Sequence, residues 1–178
     1  MIQELIENFT PPEYQRVTRG DASYAQTDEF VYNELNRLVI LHNKETRLQT
    51  KRLIRDSIDH HLRRHHGYSI KGSIGTHYTQ VGLEENGIFE HMIPNSTIRD
   101  MLLAEVITPE QACNMPTCRI SVANDKLLRK AGYVSTTPDI FNFWKRYEVC
   151  EGSFVDNEGN PVYSNMTLED HFNKYGVL

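Results

Sequence analysis

The sequence is poor in cysteine, and its three cysteines (Cys113, Cys118 and Cys150) are too few and too irregularly spaced for a disulfide scaffold. No apolar run approaches the roughly 18–20 residues that span a bilayer. The first residues, MIQELIENFTPPEYQR, lack the basic and then apolar order of a secretory signal. No repeat or low-complexity tract is present. These absences predict a reduced, cytoplasmic protein without membrane contacts.

The chain nevertheless has enough apolar residues to form a core. It has 178 residues, of which 39% are hydrophobic and 24% charged, and this length is usual for one domain. We expect a single domain over 1–178. Within this domain, we expect residues 1–67 to form a helical part and residues 68–132 to contain the candidate catalytic residues. Residues 133–178 are expected to pack against the catalytic part and support it.

Positive charge is concentrated in one segment. Residues 44–66 carry seven Lys or Arg and three acids, a net charge of +4 in a chain of net charge −5, so the remainder carries −9. A helix is predicted over about 45–66, since apolar residues recur near helical spacing from Leu48 to Leu62 and Gly67 follows. Its basic side chains form either a solvated helix face or a face that binds nucleic-acid phosphates. The candidates for phosphate contacts are Arg52, Arg55, Arg63 and Arg64.

Other segments predict short elements of both kinds. A helix is expected over 28–42, and strands are expected near 76–83 and 88–93, where an Asn86-Gly87 turn favours a hairpin. A strand at 117–121 precedes a helix at about 122–131. Further on, the sequence predicts an aromatic helix from Thr137, a small hairpin at 153–164 and a last helix capped by Thr167.

One short motif narrows the range of possible functions. The string Phe89-Glu90-His91-Met92-Ile93-Pro94 places an acid beside a histidine at the end of a strand-forming segment. About 25 residues later, the first turn of the helix at 122–131 holds Asn124 and Asp125. This order resembles the HNH, or His-Me finger, endonucleases, over about residues 76–131. The resemblance implies a central ββα finger-like hairpin, into which this chain inserts a helical segment at 96–113, longer than the family's minimum. With the elements above, the sequence predicts an α+β fold: a helical N-terminal part, this finger with its helical insertion, and a C-terminal helix with a small hairpin.

The resemblance also implies a chemistry, a metal-dependent hydrolysis of DNA phosphodiester bonds. His91 would be the general base, because its neutral imidazole is available near neutral pH. Mg²⁺, or another divalent ion, would be held by Glu90 together with Asn124 or Asp125. The chemistry does not distinguish DNA from RNA, and the compact size suggests an enzyme of a mobile element or phage.

A different class of protein stays open. Glu90 and His91 also fit a structural pair, in a non-catalytic nucleic-acid-binding or assembly protein that keeps the finger as a scaffold. Burial of Glu90, or separation of Asn124 from it, would favour that alternative.

Other histidines are ambiguous. His77 lies in the strand expected to pair with 88–93, and it either contacts phosphate or is structural. His61 and His65 have the i, i+4 spacing of a transition-metal pair, but polar or nucleic-acid-facing surface positions are favoured for them and for His60 and His66.

Overall fold

The computed structural model describes residues 28–69, 76–83 and 87–177. In the described part of the chain, the first elements are two long helices, α1 (Asp28–Lys44) and α2 (Leu48–Ser69), which pack against each other. Their facing apolar residues are almost completely buried. The helices predicted at 28–42 and 45–66 are therefore confirmed, because the periodic apolar positions do form the buried face.

A mixed four-stranded sheet follows, in the spatial order β2-β3-β1-β4. The central strand β3 pairs antiparallel with β2 and parallel with β1, and β4 pairs antiparallel with β1. The strands are β1 (Tyr78–Gln80), β2 (Ile88–His91), β3 (Thr117–Ile120) and β4 (Phe154–Asp156).

The predicted pairing of the first two strands is wrong. Tyr78 of β1 and Glu90 of β2 both lie opposite Cys118, on the two sides of β3. The Asn86-Gly87 dipeptide favours a tight turn locally, but burial decides which strand takes the inner position. Cys118 and Ile120 of β3 are fully buried, so β3 is central and β2 is left at the edge.

The insertion between β2 and β3 is helical, as predicted. It contains α3 (Asn95–Leu103) and α4 (Pro109–Cys113), and α5 (Val122–Lys130) follows β3. Thr108 starts α4 with a capping box, in which its side chain and that of Gln111 each bond the other's backbone N–H.

The C-terminal part is more irregular than expected. The aromatic helix is reduced to a 3-10 helix (Phe143–Tyr147), although Phe143, Trp144 and Tyr147 are buried. The hairpin at 153–164 is reduced to β4 and one bridge between Val155 and Pro161. The capping box at Thr167 is confirmed and starts α6 (Leu168–Tyr175).

Helices and a small mixed sheet together confirm the α+β class. Within the described residues, no helix is both long enough and apolar enough to cross a membrane.

Candidate functional site

A polar cleft lies where the edge strand β2 passes into α3. Pro94 has no N–H to continue the strand, and the chain turns there into the helix that begins at Asn95. The cleft has a volume of about 240 Å³. Its lining residues are Arg63, Glu90, His91, Pro94, Asn95, Ser96, Val134 and Ser135.

His91 is held in this cleft by a second histidine. Its Nε2 lies 2.8 Å from Nδ1 of His66 on α2, and Nε2 of His66 lies 2.9 Å from the carbonyl oxygen of Cys113. A carbonyl oxygen only accepts, so Nε2 of His66 carries the proton and Nδ1 of neutral His66 accepts. His91 therefore donates through Nε2–H, and its Nδ1 has no hydrogen-bond partner among the described residues.

Both rings are neutral at neutral pH. Burial lowers the pKa of His91 to about 4, and the Arg63 and Arg146 guanidiniums contribute to that shift. Burial also holds the pKa of His66 well below the usual range. Neutral His91 with an unprotonated Nδ1 can accept a proton, and its pKa of about 4 makes it a weaker base than one whose pKa lies near neutrality.

Glu90 is bound by a buried arginine that is distant in sequence. Its Oε1 accepts a hydrogen bond from Nη2 of Arg146, whose side chain is 1% exposed. The same guanidinium donates to the carbonyl oxygens of Tyr133, His91 and Met92. Burial raises the pKa of the Glu90 carboxyl, and the Arg146 charge opposes that rise. Arg146 thus fixes the end of β2, where His91 is the last residue.

Replacing Arg146 by methionine is expected to destabilise the fold by about 3–5 kcal/mol, since it leaves the half-buried Glu90 carboxylate without its partner and three backbone carbonyl groups without their donor. The measurement is the free energy of unfolding in urea. Lys145→Met is the matched control, because Lys145 pairs with Asp139 at the surface, and it should cost about 1 kcal/mol or less. Equal losses for the two variants would contradict the structural role of Arg146.

The predicted ligands Asn124 and Asp125 are not brought together with His91. His91 lies opposite Thr117 at the start of β3, whereas Asn124 follows the other end of that strand. These ends, Thr117 and Ile120, are three residue steps apart, a distance of about 10 Å. Asn124 is buried, and its amide bonds Oε1 of Gln80 and the backbone of Glu151. Asp125 is ion-paired with Arg129.

The side chains of the predicted Mg²⁺ ligands are engaged by other residues, and the Asp125 charge adds to burial in raising the pKa of Glu90. The Asn124 side-chain oxygen accepts from the Glu151 N–H, and one oxygen of Glu90 is bound to Arg146. Among the described residues, no group of three or more His, Cys, Asp or Glu side chains is placed to hold a metal ion. Within the described ranges, the buried Oδ1 of Asn95 in the cleft has no hydrogen-bond partner, while the amide nitrogen of Asn95 donates to Asp59.

The predicted phosphate-binding arginines differ in their surroundings. Arg63 lines the cleft, and Arg52 is exposed on the same face of α2. Arg55 is ion-paired with Asp100 of α3 at 2.7 Å. Arg64 is half-buried and lies about 100° around the helix from Arg63.

His77 lies away from the cleft. Its Nδ1 accepts from the Thr117 N–H at 3.2 Å, and its ring packs against His171 and Tyr175. Burial lowers the pKa of His77 to about 3, so it carries no positive charge for a phosphate at neutral pH. These contacts favour the structural interpretation of His77.

Two important residues were not identified as site residues from the sequence. His66 was expected at the surface, but it is 2% exposed. The sequence does indicate that His66 is buried, because position 66 continues the apolar stripe formed by Ile54, Ile58 and Leu62 at intervals of four residues. Arg146 carried no such signal, since its partner Glu90 is 56 residues away.

Comparisons of the chain with protein-family models, curated proteins and solved structures found no match. What the cleft does must therefore be inferred from its own geometry.

Proposed function

We propose that this protein hydrolyses nucleic-acid phosphodiester bonds, with His91 as the general base. The observation that supports it most strongly is the state of His91: a neutral ring, fixed through Nε2, in a polar cleft that also contains a guanidinium. A base in this state takes a proton from the attacking water. A second group must then stabilise the negative charge of the phosphate.

Two features of the cleft suit a phosphate. Arg63 supplies positive charge and hydrogen-bond donors that match phosphate oxygens. The first turn of α3 forms the adjacent wall, and no side chain caps this helix end, so its backbone N–H groups also favour an anion. The volume of about 240 Å³ is below the roughly 300–1,000 Å³ of pockets that enclose a drug-sized ligand. One phosphate and its neighbouring sugar would enter, and the rest of the strand would lie outside.

The face of α2 that leads to the cleft is proposed to hold the rest of the strand. Arg52 and Arg63 share this face and, at eleven residues apart, are separated by about 16 Å. Phosphate contacts of this kind position a nucleic acid without reading its sequence.

Replacing Arg52 and Arg63 by glutamine is expected to weaken duplex binding for all sequences and to reduce the slope of log affinity against log salt by about 1.8, at about 0.9 per lost contact. Fluorescence anisotropy over a salt series measures both quantities. Arg37→Gln combined with Arg47→Gln is the matched control, because it removes the same charge from arginines paired with Glu34 and Glu45. Equal salt slopes for the two double variants would contradict binding along this face.

Whether cleavage requires a divalent ion is left to experiment. Since Glu90, Asn124 and Asp125 are engaged by Arg146, Glu151 and Arg129, no step is assigned to the ion. Cleavage measured with Mg²⁺, with Mn²⁺ and with EDTA shows whether one is needed.

The second candidate is a non-catalytic nucleic-acid-binding or assembly protein. The observation that favours it is the structural use of Glu90 and Asn124, whose side chains bond Arg146, Gln80 and Glu151.

Incubating the protein with labelled single-stranded DNA, duplex DNA and RNA oligonucleotides distinguishes the two candidate functions. An enzyme gives shorter products on a denaturing gel, and the choice of substrate identifies the nucleic acid. Binding without products from any of the three would favour the second candidate.

A further inference from the structure

We propose that His66 is a positioning residue for His91, holding the ring so that Nδ1 is the nitrogen that acts as the base. The effect on catalysis rests on the proposed function, whereas the hydrogen bond between the two rings does not.

His66 is itself held in place by the C-terminal end of the short helix α4. Cys113 is the last residue of α4, and carbonyl groups in the last turn of a helix have no partner within it. The capping box at Thr108 fixes the other end of α4. His66 donates to the Cys113 carbonyl at 2.9 Å, and because this bond uses Nε2–H, only the Nδ1 lone pair of His66 remains to face His91.

The second step is the orientation of His91. An acceptor 2.8 Å from Nε2 requires a proton on that nitrogen and fixes the ring about its side-chain bond. The lone pair on Nδ1 then has a constant direction. A base with a fixed lone pair needs no rearrangement before it takes a proton, and a misplacement of about 1 Å can cost about 100-fold in rate.

Protonation of His91 places a positive charge on the ring that faces His66. When Nδ1 of His91 takes a proton, the ring becomes an imidazolium, and the bond from Nε2–H to His66 becomes charge-assisted and stronger. His66 is 2% exposed and lies among buried residues of α2, so it does not itself take the charge. It accepts a hydrogen bond from His91 before and after the transfer.

Two substitutions of similar size separate this role from packing. His66→Gln keeps an acceptor for His91 and a donor for the Cys113 carbonyl, whereas His66→Met keeps the volume and removes both. The direct readout is the His91 Nε2–H signal in ¹⁵N-labelled protein, with its exchange rate and its coupling through the hydrogen bond to Nδ1 of His66.

In the wild type, the His91 Nε2–H proton is expected to be protected from exchange and coupled to His66. His66→Met should lose the protection, and His66→Gln should retain it. Under single turnover, cleavage by His66→Met should fall by about 100-fold with little change in KM, and His66→Gln should recover most of the rate. His60→Ala, an exposed histidine on the same helix, serves as the control.

The inference is overturned if the His91 Nε2–H proton is unprotected in the wild type, or if His66→Met and His66→Gln cleave equally. Should the signal behave as expected while the wild type cleaves no nucleic acid, the proposed function fails and the contact between the rings stands. Should the wild type cleave while the signal is insensitive to residue 66, the role of His66 alone fails.

Discussion

Replacing His91 by alanine is expected to lower the rate of nucleic-acid cleavage by about 10²–10⁴-fold, the usual contribution of a general base. Nδ1 of His91 has no partner among the described residues, so its removal takes away the base without breaking another hydrogen bond at that atom. The measurement is the single-turnover rate on a labelled oligonucleotide, with affinity determined separately by anisotropy. Affinity should change little, because Arg52 and Arg63 remain.

His91 also contacts His66, so the variant must be shown to stay folded. Far-ultraviolet circular dichroism and the urea midpoint provide that check. His91→Gln is the companion variant, because its amide N–H still bonds His66 while its remaining group is not a base at neutral pH. Wild-type rates in both folded variants would mean that His91 is not the base.

Stability is expected to fall steeply as the pH drops below about 6.5. Burial lowers the pKa of His77 to about 3 and those of His91 and His171 to about 4. Between these values and the unfolded value of about 6.5, the unfolded chain binds more protons than the folded one. The stability is therefore complete above pH 6.5 and is lost as the pH decreases, by about 1 kcal/mol per pH unit for each of the three histidines.

Urea unfolding at pH 7.5, 6.5, 5.5 and 5.0, followed by the fluorescence of the single tryptophan Trp144, measures this loss. Most Asp and Glu side chains stay ionised in this range, so the histidines dominate the slope. His171→Gln should reduce the slope by about a quarter or less, since His77, His91 and His66, whose pKa burial also lowers, remain. A free energy of unfolding that is constant or rises towards pH 5 would contradict the burial of these rings.

The local elements could be predicted from the sequence because their causes are local. Thr108-Pro109 and Thr167 to Asp170 start helices through side chains within one turn of the cap. The strand pairing could not be predicted in this way. Asn86-Gly87 permits a hairpin, but β1 and β2 instead pair with opposite sides of β3, which lies more than 25 residues further along the chain.

The candidate site was predictable in part. The motif located His91 and Glu90, and the cleft does form at these residues. The resemblance implies a ligand in the first turn of the helix after a strand, where Asn124 stands, but that turn follows the end of β3 opposite to His91. The contacts that fix the site, from His66 and Arg146, join residues 25 and 56 positions apart, and only the folded chain brings them together.

The most direct test of the central claim is the nicking of a supercoiled plasmid by the wild type and by His91→Ala, purified in parallel and assayed with Mg²⁺, Mn²⁺ and EDTA. If His91 is the base of a nuclease, the wild type converts plasmid to the relaxed form in at least one condition, in proportion to protein, and His91→Ala is slower by at least about 100-fold in that condition. Equal nicking by the two proteins in every condition would mean that His91 is not the base.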